Sequence, residues 1–586
     1  MPTRGGGSSN RANGLYPLGV TDPISQANRW INDDPDPATR EELQALIERG
    51  DTELLASHVD GALTFGTAGI RGEVGPGPNR MNRAVVIRTT AGLATYLDSS
   101  QRFSDSPVVI GFDARPTSST FAEDAAGVLA AVGRRVLFFP GFAPTPLVAF
   151  AAKELGAVGA IVVTASHNPP ADNGYKVYAS NGAQIIPPVD GEIAEAIVHA
   201  GAAVDVPRLE DVFSGTSDLV SPVPDDLVDR YWSAVNASRP DPRSSDMKVV
   251  YTPIHGVGGE VLRAVFHRAG YTGLTEVPEQ SQPDGTFPTV AFPNPEEKGA
   301  LDLAMDLGSR VEADLIIAND PDADRLAVVI PESNIWRPLT GNELGVLLGD
   351  YVLRNWPEPH EAIVVNSIVS SPMLAGIAAT YGARHETTLT GFKWIVNAGL
   401  ALEAAGDGRF VFGYEEALGY TVGSTVRDKD GISAALVFCD LFAGLREQGL
   451  TIPDRLTELW RQVGVWASAQ HSVVRPGAEG LATIKNAVET LADSPPHVVG
   501  DKLVVDVTDY RIGGEHRPFW LGEQALVALS LGASGRVLVR PSGTEPKLKI
   551  YVDLTEPAGE TPHAQQTYLE KVALDLAKSL TDALPL

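Results

Sequence analysis

Three aspartates at spacing two, Asp320, Asp322 and Asp324, follow the apolar run LIIAN and close on Arg325. Alternate residues of an extended loop project to one side, so these carboxylates are expected to converge on one hard cation. Magnesium is the natural choice, because it accepts a few carboxylates and leaves room for a phosphate oxygen. An EF-hand calcium loop would need glycine and glutamate at the positions held here by Arg325 and Pro331. A solvated acidic turn is the plain alternative, but carboxylates crowded without a cation repel one another. Arg325, beside this cage, suits phosphate oxygens.

A second segment reads TASHNPP and then DNGYK, placing Ser166 and His167 at the end of an apolar run, with Lys176 on an expected return strand. A serine hydroxyl is a weak nucleophile until a base, a metal or an anion-stabilising pocket activates it. A serine hydrolase is the obvious rival. The G-x-S-x-G elbow is absent, however, and His167, adjacent in sequence, is expected to point away from the serine. Alone, this turn is most simply a capped loop.

Two further segments carry polar groups of the same kind. GYEEALGY presents Glu415 and Glu416 after an apolar strand. Carboxylates facing a sugar accept hydrogen bonds from its hydroxyls, whereas a glutamate pair opening a helix is only a dipole partner. A glycosidase also uses two carboxylates, at a separation the sequence does not supply. RPSGTEPK offers Arg540, Ser542, Gly543 and Thr544 as a phosphate cradle, or a plain tight turn. The P-loop pattern G-x-x-x-x-G-K-[ST] is missing, which disfavours an ATP-binding kinase of that class.

The elements that must position these groups are short β-branched runs, each followed by a polar loop and a helical pattern, which predicts α/β construction. The runs near 107, 160, 248, 313, 361 and 409 alternate little between apolar and polar residues, so their strands are expected to be buried on both faces of mixed or parallel sheets. GGEVLRAVFHRAG supplies a covering helix with Val261, Leu262, Val265 and Phe266 on one stripe. In open sheets of this kind ligands collect at the carboxyl ends of strands, where every polar segment above lies.

At 586 residues the chain exceeds one core. Breaks are expected at 213–226, 331–338 and 447–472, giving domains 1–215 with the serine loop, 216–335 with the aspartate loop, 336–464 with the glutamate loop and 465–586 with the RPSGTEPK loop. The glycine-rich start, 1–14, reads as a flexible leader without the apolar stretch of a secretory signal. Cys439 is the one cysteine, which fits a reducing cytoplasm. A net charge of −28 disfavours nucleic acid and anionic membranes as partners, so a phosphorylated substrate needs a local cluster of cations.

Taken together and in this order, the four segments resemble the α-D-phosphohexomutase family, from about Trp30 to the carboxyl end. FGTAGIRG, residues 65–72, resembles the family's opening motif, whose arginine, here Arg71, lies near the phosphoserine. The resemblance implies four domains around a central cleft, three of them related α/β mixed-sheet units and the last a smaller α+β domain. It implies that Ser166 carries a phosphate and that Asp320, Asp322 and Asp324, with that serine, hold magnesium. Lys176 matches the proposed general acid/base, with Arg71 and His167 beside the catalytic serine. Arg325, Lys393, Glu415, Arg427, Lys429, Arg540, Ser542, Gly543 and Thr544 would bind the substrate. The implied activity is interconversion of a sugar 1-phosphate and 6-phosphate, of glucose or mannose, through a bound bisphosphate that also serves as activator.

Where many hexomutases carry Glu-Glu-Ser or Glu-Met-Ser in the sugar loop, this chain has Glu415-Glu416-Ala417. With the segment RDKDG, 427–431, that makes it more similar to the branch holding phosphopentomutase-type enzymes and glucose 1,6-bisphosphate synthases. Ribose 1- and 5-phosphate, or bisphosphate synthesis, are therefore the alternatives. A non-catalytic sugar-phosphate binder would not need all these groups. The expected setting is a cytoplasmic monomer or weak homodimer.

Overall fold

The structure, a computed structural model, describes residues 22–66, 69–99, 105–215, 217–333, 335–542 and 546–586. The leader and the predicted site residues Gly543 and Thr544 lie outside the described residues.

Three mixed sheets share one arrangement. In the first, strand Gly159–Val163 runs parallel to Val108–Phe112 and antiparallel to the return strand Asp172–Ala179. In the second, Leu315–Ala318 runs parallel to Val249–Thr252 and antiparallel to Ala327–Glu332. In the third, Arg409–Glu415 runs parallel to Ala362–Ser367 and antiparallel to Gly419–Val422. Each of the three central strands is followed by a loop that reverses the chain into the return strand; the first two loops hold Ser166 and Asp320, and Glu415 ends the third strand. The parallel strands are buried along almost their whole length, as their unbroken apolar runs require. The fourth sheet is antiparallel throughout, in the order Val465–Val474, Lys547–Glu556, Gly535–Pro541, Val527–Ser530, Asp506–Asp509, with helix Pro562–Ala583 packed on it. The chain thus has three related α/β units and a C-terminal α+β unit around a central cleft.

Helix Gly259–Ala269 buries Val261, Leu262, Val265 and Phe266, the stripe expected of it. The stretches read as breaks contain secondary structure among their described residues. Segment 213–226 contributes the edge strand Val220–Pro222 to the first sheet, 331–338 is a hairpin in which Glu332 pairs with Ile335, and 447–472 contains helix Ile452–Val463. Pro453 sits in the first turn of that helix, behind the N-cap Thr451. Cys439 is buried, and no described helix is long and apolar enough to cross a membrane.

Candidate active site

The first loop is a tight turn, closed by Asn168 N donating to Ala165 O at 3.0 Å. Ser166 occupies it with φ +52°, a left-handed conformation that a non-glycine residue holds only when its surroundings enforce it. Ser166 N donates to Thr164 Oγ1 at 2.9 Å, and Thr164 Oγ1 in turn to Asp113 at 2.7 Å. Ser166 Oγ donates to Asp320 Oδ2 at 2.8 Å, across to the second unit. His167 Nδ1 lies 3.2 Å from the same Oγ. The expectation that His167 points away is thus corrected: the left-handed turn at Ser166 brings consecutive side chains to one side. Arg71 donates to Asn168 Oδ1 at 3.0 Å and so braces the turn. Its strand needs the preceding Gly69, because a Cβ there would lie 1.8 Å from Tyr175 O.

The aspartates converge, with ligand atoms within 4.8 Å of one another, but not by alternation along an extended loop. Ala323 takes φ +57° and its N–H donates to Asp320 O at 2.9 Å, so a turn folds the three carboxylates together. Lys176, on the return strand opposite Val162, reaches Asp322 at 2.6 Å and Asp324 at 2.9 Å. Burial and the neighbouring carboxylates push the Asp320 carboxyl well above the ordinary range. Burial, the largest effect, would raise Asp322 and Asp324 also, but opposing groups together hold both below that range: Lys176 with the Thr145 hydroxyl at Asp322, and Lys176, Lys429 and Arg325 at Asp324. Asp322 Oδ1 and Asp324 Oδ1 are buried and accept no hydrogen bond, which is the condition of oxygens fit to coordinate a cation. Arg325 donates to Ala417 O at 2.6 Å, while its Nε is buried without a hydrogen-bond partner.

The third loop opens a hairpin, so its glutamates do not face a helix N-terminus. Adjacent strand residues point opposite ways. Glu416 turns to Ser367 and Ser370, at 3.2 and 3.3 Å. Glu415, buried beside Lys429 and Arg325, has its carboxyl raised by burial against their attraction. This hairpin is stitched to the aspartate loop by Leu326 N donating to Leu418 O at 3.1 Å. Lys429 Nζ lies 3.3 Å from both Asp324 and Asp428.

Four family models match the chain: phosphoglucomutase/phosphomannomutase alpha/beta/alpha domain I at 62–203, domain II at 227–333 and domain III at 340–463, and the C-terminal domain at 521–561. The chain belongs to the phosphoglucomutase/phosphomannomutase family. It is 41% identical over 480 residues to a probable phosphomannomutase of Haemophilus influenzae, covering 81% of this chain and 93% of that one. It is 36% identical over 585 residues to the phosphoribomutase of Saccharomyces cerevisiae, covering 92% and 93%. The crystal structure of the open form of parafusin (phosphoglucomutase) from Paramecium shares the fold, with a TM-score of 0.66 at 17% identity over 88% of this chain and 95% of that one. As a member of this family the chain is a sugar-phosphate mutase, an intramolecular phosphotransferase.

The other predicted residues of this phosphoglucomutase/phosphomannomutase chain are spread along the third and fourth units. Lys393 is 5% exposed, its Nζ lies 4.7 Å from the Trp394 ring and has no hydrogen-bond partner, and burial lowers its pKa to about 8. Arg427 donates to Asn181 O at 2.9 Å, joining the third unit to the first, and keeps a buried Nε without a partner. Arg540 Nε is likewise buried and without one. Ser542 N donates to Lys547 O at 2.7 Å.

Two residues escaped the sequence reading. Arg115 donates four hydrogen bonds of 2.7 to 2.8 Å to the carbonyls of Ser166, Asn168, Pro169 and Asp172, clamping the serine loop. Thr145 donates to Asp322 Oδ2 at 2.6 Å from the start of helix Thr145–Glu154, and its N–H donates to Asp322 O at 2.9 Å. The apolar run before FDARP marked Arg115 as lying at a strand end; nothing marked Thr145.

Proposed function

We propose that this chain interconverts the 1-phosphate and 6-phosphate of a hexose, glucose or mannose, by way of a phosphate carried on Ser166 and a bound sugar bisphosphate. The contact of Ser166 Oγ with Asp320 at 2.8 Å carries the reading, because it joins a hydroxyl in an enforced turn to a set of carboxylates fit for a cation.

Asp320, Asp322 and Asp324, with an oxygen on Ser166, would hold magnesium. The ion supplies neutralisation of charge developing on the transferred phosphoryl group. The chain's own groups do the rest. Lys176 exchanges a proton with the sugar hydroxyl, and His167 stands at the serine oxygen. Arg325, whose Nε makes no hydrogen bond and lies 3.9 Å from Asp320 and Asp324, offers its guanidinium to phosphoryl oxygens. Glu415 accepts from two sugar hydroxyls, and Lys393, Arg427, Lys429, Arg540, Ser542, Gly543 and Thr544 hold the phosphate that is not reacting. Transfer from Ser166 Oγ to one sugar hydroxyl gives the bisphosphate. The bisphosphate turns over, and its other phosphate returns to Ser166. A sugar 1,6-bisphosphate primes the serine. The setting we infer is the cytoplasm, as a monomer or weak homodimer without nucleic-acid or membrane partners.

A pentose substrate is the second reading, favoured by the phosphoribomutase relative and by Ala417, which offers no side-chain hydroxyl and gives its carbonyl to Arg325. A coupled assay with magnesium and a trace of glucose 1,6-bisphosphate, run with glucose, mannose and ribose 1-phosphates on native protein and Ser166→Ala, decides between them. Turnover of a hexose phosphate that vanishes in the variant is the expected result. Preference for ribose 1-phosphate would establish the pentose reading, and net release of bisphosphate from an external donor would make the chain a synthase. Equal rates in both proteins would remove Ser166 from the reaction.

A further inference from the structure

Arg115 is held as firmly from the second unit as it holds the serine loop. A Cβ on Gly285 would lie 2.4 Å from both Ala114 O and Arg115 Cα, so only glycine lets the second unit's backbone sit this close. Two residues later, the Phe287 ring lies 5.1 Å from the Arg115 guanidinium carbon, and Phe287 and Arg115 are each 2% exposed. The guanidinium is thus fixed on three sides: by loop carbonyls, by Asp113 at 3.3 Å from its Nε, and by an aromatic face.

The segment that carries Gly285 and Phe287 is tied in turn to the aspartate loop. Asp284 N donates to His255 O at 2.9 Å and caps Thr286, whose N–H and hydroxyl reach its carboxylate at 2.9 and 2.7 Å. His255 Nε2 is 2.9 Å from Thr289 Oγ1, and Ile254 and His255 both take positive φ, 48° and 59°. That strained turn presses on the aspartate loop: Val257 N donates to Pro321 O at 2.8 Å, and a Cβ on Gly256 would lie 2.5 Å from Pro321 Cα. Contacts therefore run in a closed ring from Ser166 through Arg115, Gly285 and Phe287, His255, Val257 and Pro321 to Asp320, and back to Ser166 Oγ.

We propose that segment 284–287 is a positioning element for phosphoryl transfer: Phe287 and Gly285, acting through Arg115, set the distance between the serine oxygen and the aspartate loop before substrate arrives. The proposal rests on the reading of Ser166 as phosphate carrier. Its energetic logic is that of orientation, in which a misplacement near 1 Å lowers the rate on the order of 10²-fold while leaving remote substrate contacts alone. Phe287 and Gly285 are packed against Arg115, behind the serine loop, so their loss should appear in kcat and not in KM.

The test compares full-length Phe287→Leu, which keeps bulk without an aromatic face, Phe287→Tyr, which keeps the ring, and Gly285→Ala. Phe266→Leu, in the core of the same unit, is the control for stability alone. The measurements are kcat and KM for the sugar phosphate, the rate of Ser166 phosphorylation by sugar bisphosphate followed by intact mass, and the melting midpoint. Phe287→Leu and Gly285→Ala are expected to lower kcat and serine phosphorylation by roughly 10- to 100-fold with KM within about twofold, and Phe287→Tyr to restore most of the rate. Unchanged kcat in Phe287→Leu with a melting shift like that of Phe266→Leu would overturn the proposal alone, as would raised KM at native kcat. Native turnover by Ser166→Ala would overturn the nucleophile assignment, and this proposal with it.

Discussion

Ser166 and Asp320 meet at 2.8 Å although they belong to different units and stand 154 residues apart in the chain. Around that contact Asp322 and Asp324 bury oxygens without partners, beside Lys176 at 2.6 and 2.9 Å. A cation bound there would stabilise the folded state as well as serve transfer, since a ligand present at 100 times its Kd adds about 2.7 kcal/mol. Chelation should therefore stop turnover reversibly and lower the melting midpoint by a few degrees, and added magnesium should restore both. A midpoint indifferent to magnesium over its whole activating range would contradict occupancy of the aspartate loop.

Thr145 tests the same loop from behind. Its hydroxyl donates to Asp322 at 2.6 Å, and groups that orient metal ligands typically contribute 10- to 100-fold to metal affinity. Thr145→Val keeps the shape and removes the donor. The magnesium concentration for half-maximal rate is expected to rise within that range, with kcat at saturating magnesium reduced far less. Thr145→Ser should stay near native. If titrations of Thr145→Val and native protein superimpose, the hydroxyl has no part in holding the site.

Such residues mark where sequence reading stops. Ser166 and the aspartates could be placed together because each sits in a short segment after an apolar strand, where α/β sheets gather their ligands, whereas Lys176, inside the return strand, was singled out by the family resemblance. Arg115 acts on backbone carbonyls 51 to 57 residues away, and Thr145 on a carboxylate 177 residues away, and no local pattern encodes such partners. The shape of the aspartate loop was misread for a related reason. Its turn depends on a left-handed alanine, Ala323, and alanine carries no turn signature. The glutamate loop was open between sugar-facing carboxylates and a pair opening a helix; the hairpin removes the helix, and Glu416 turns toward Ser367 and Ser370.

Lys393 carries a pH dependence that can be worked out in sign. Burial lowers its pKa from 10.5 to about 8, so between those values the unfolded chain binds the proton that the folded chain has released. Stability from this group then rises with pH through that window and falls as pH drops through 8. Lys393→Met should raise the melting midpoint at pH 7, by a stability increment of about 1 to 3 kcal/mol, and the gap from native should close toward pH 10. If the charged form binds phosphate, native kcat/KM should fall above about pH 8 and the variant, lower throughout, should lack that fall. A native profile identical in shape to that of Lys393→Met would detach Lys393 from substrate.

Tyr178 connects the first unit to the third. Its hydroxyl donates to Asp428 at 2.6 Å, and Asp428 also accepts from Lys429 N at 2.8 Å and lies 3.3 Å from Lys429 Nζ. Lys429 is thereby held against Asp324, with its ammonium 5.3 Å from the Phe392 ring. Burial, then the Asp428 charge, keeps the Tyr178 phenol protonated, so it acts as a donor throughout the working range. Tyr178→Phe removes a hydrogen bond to a charged group and should cost about 1.5 to 3 kcal/mol. It should also weaken kcat/KM, because an Asp428 freed on one side no longer aims Lys429. Lys429→Met alone removes the cation and should cost more. In the double variant the two losses should fall short of additivity by at least about 0.5 kcal/mol, the signature of residues acting through one contact. Strict additivity in kcat/KM would show that Tyr178 serves the join between units without serving the lysine.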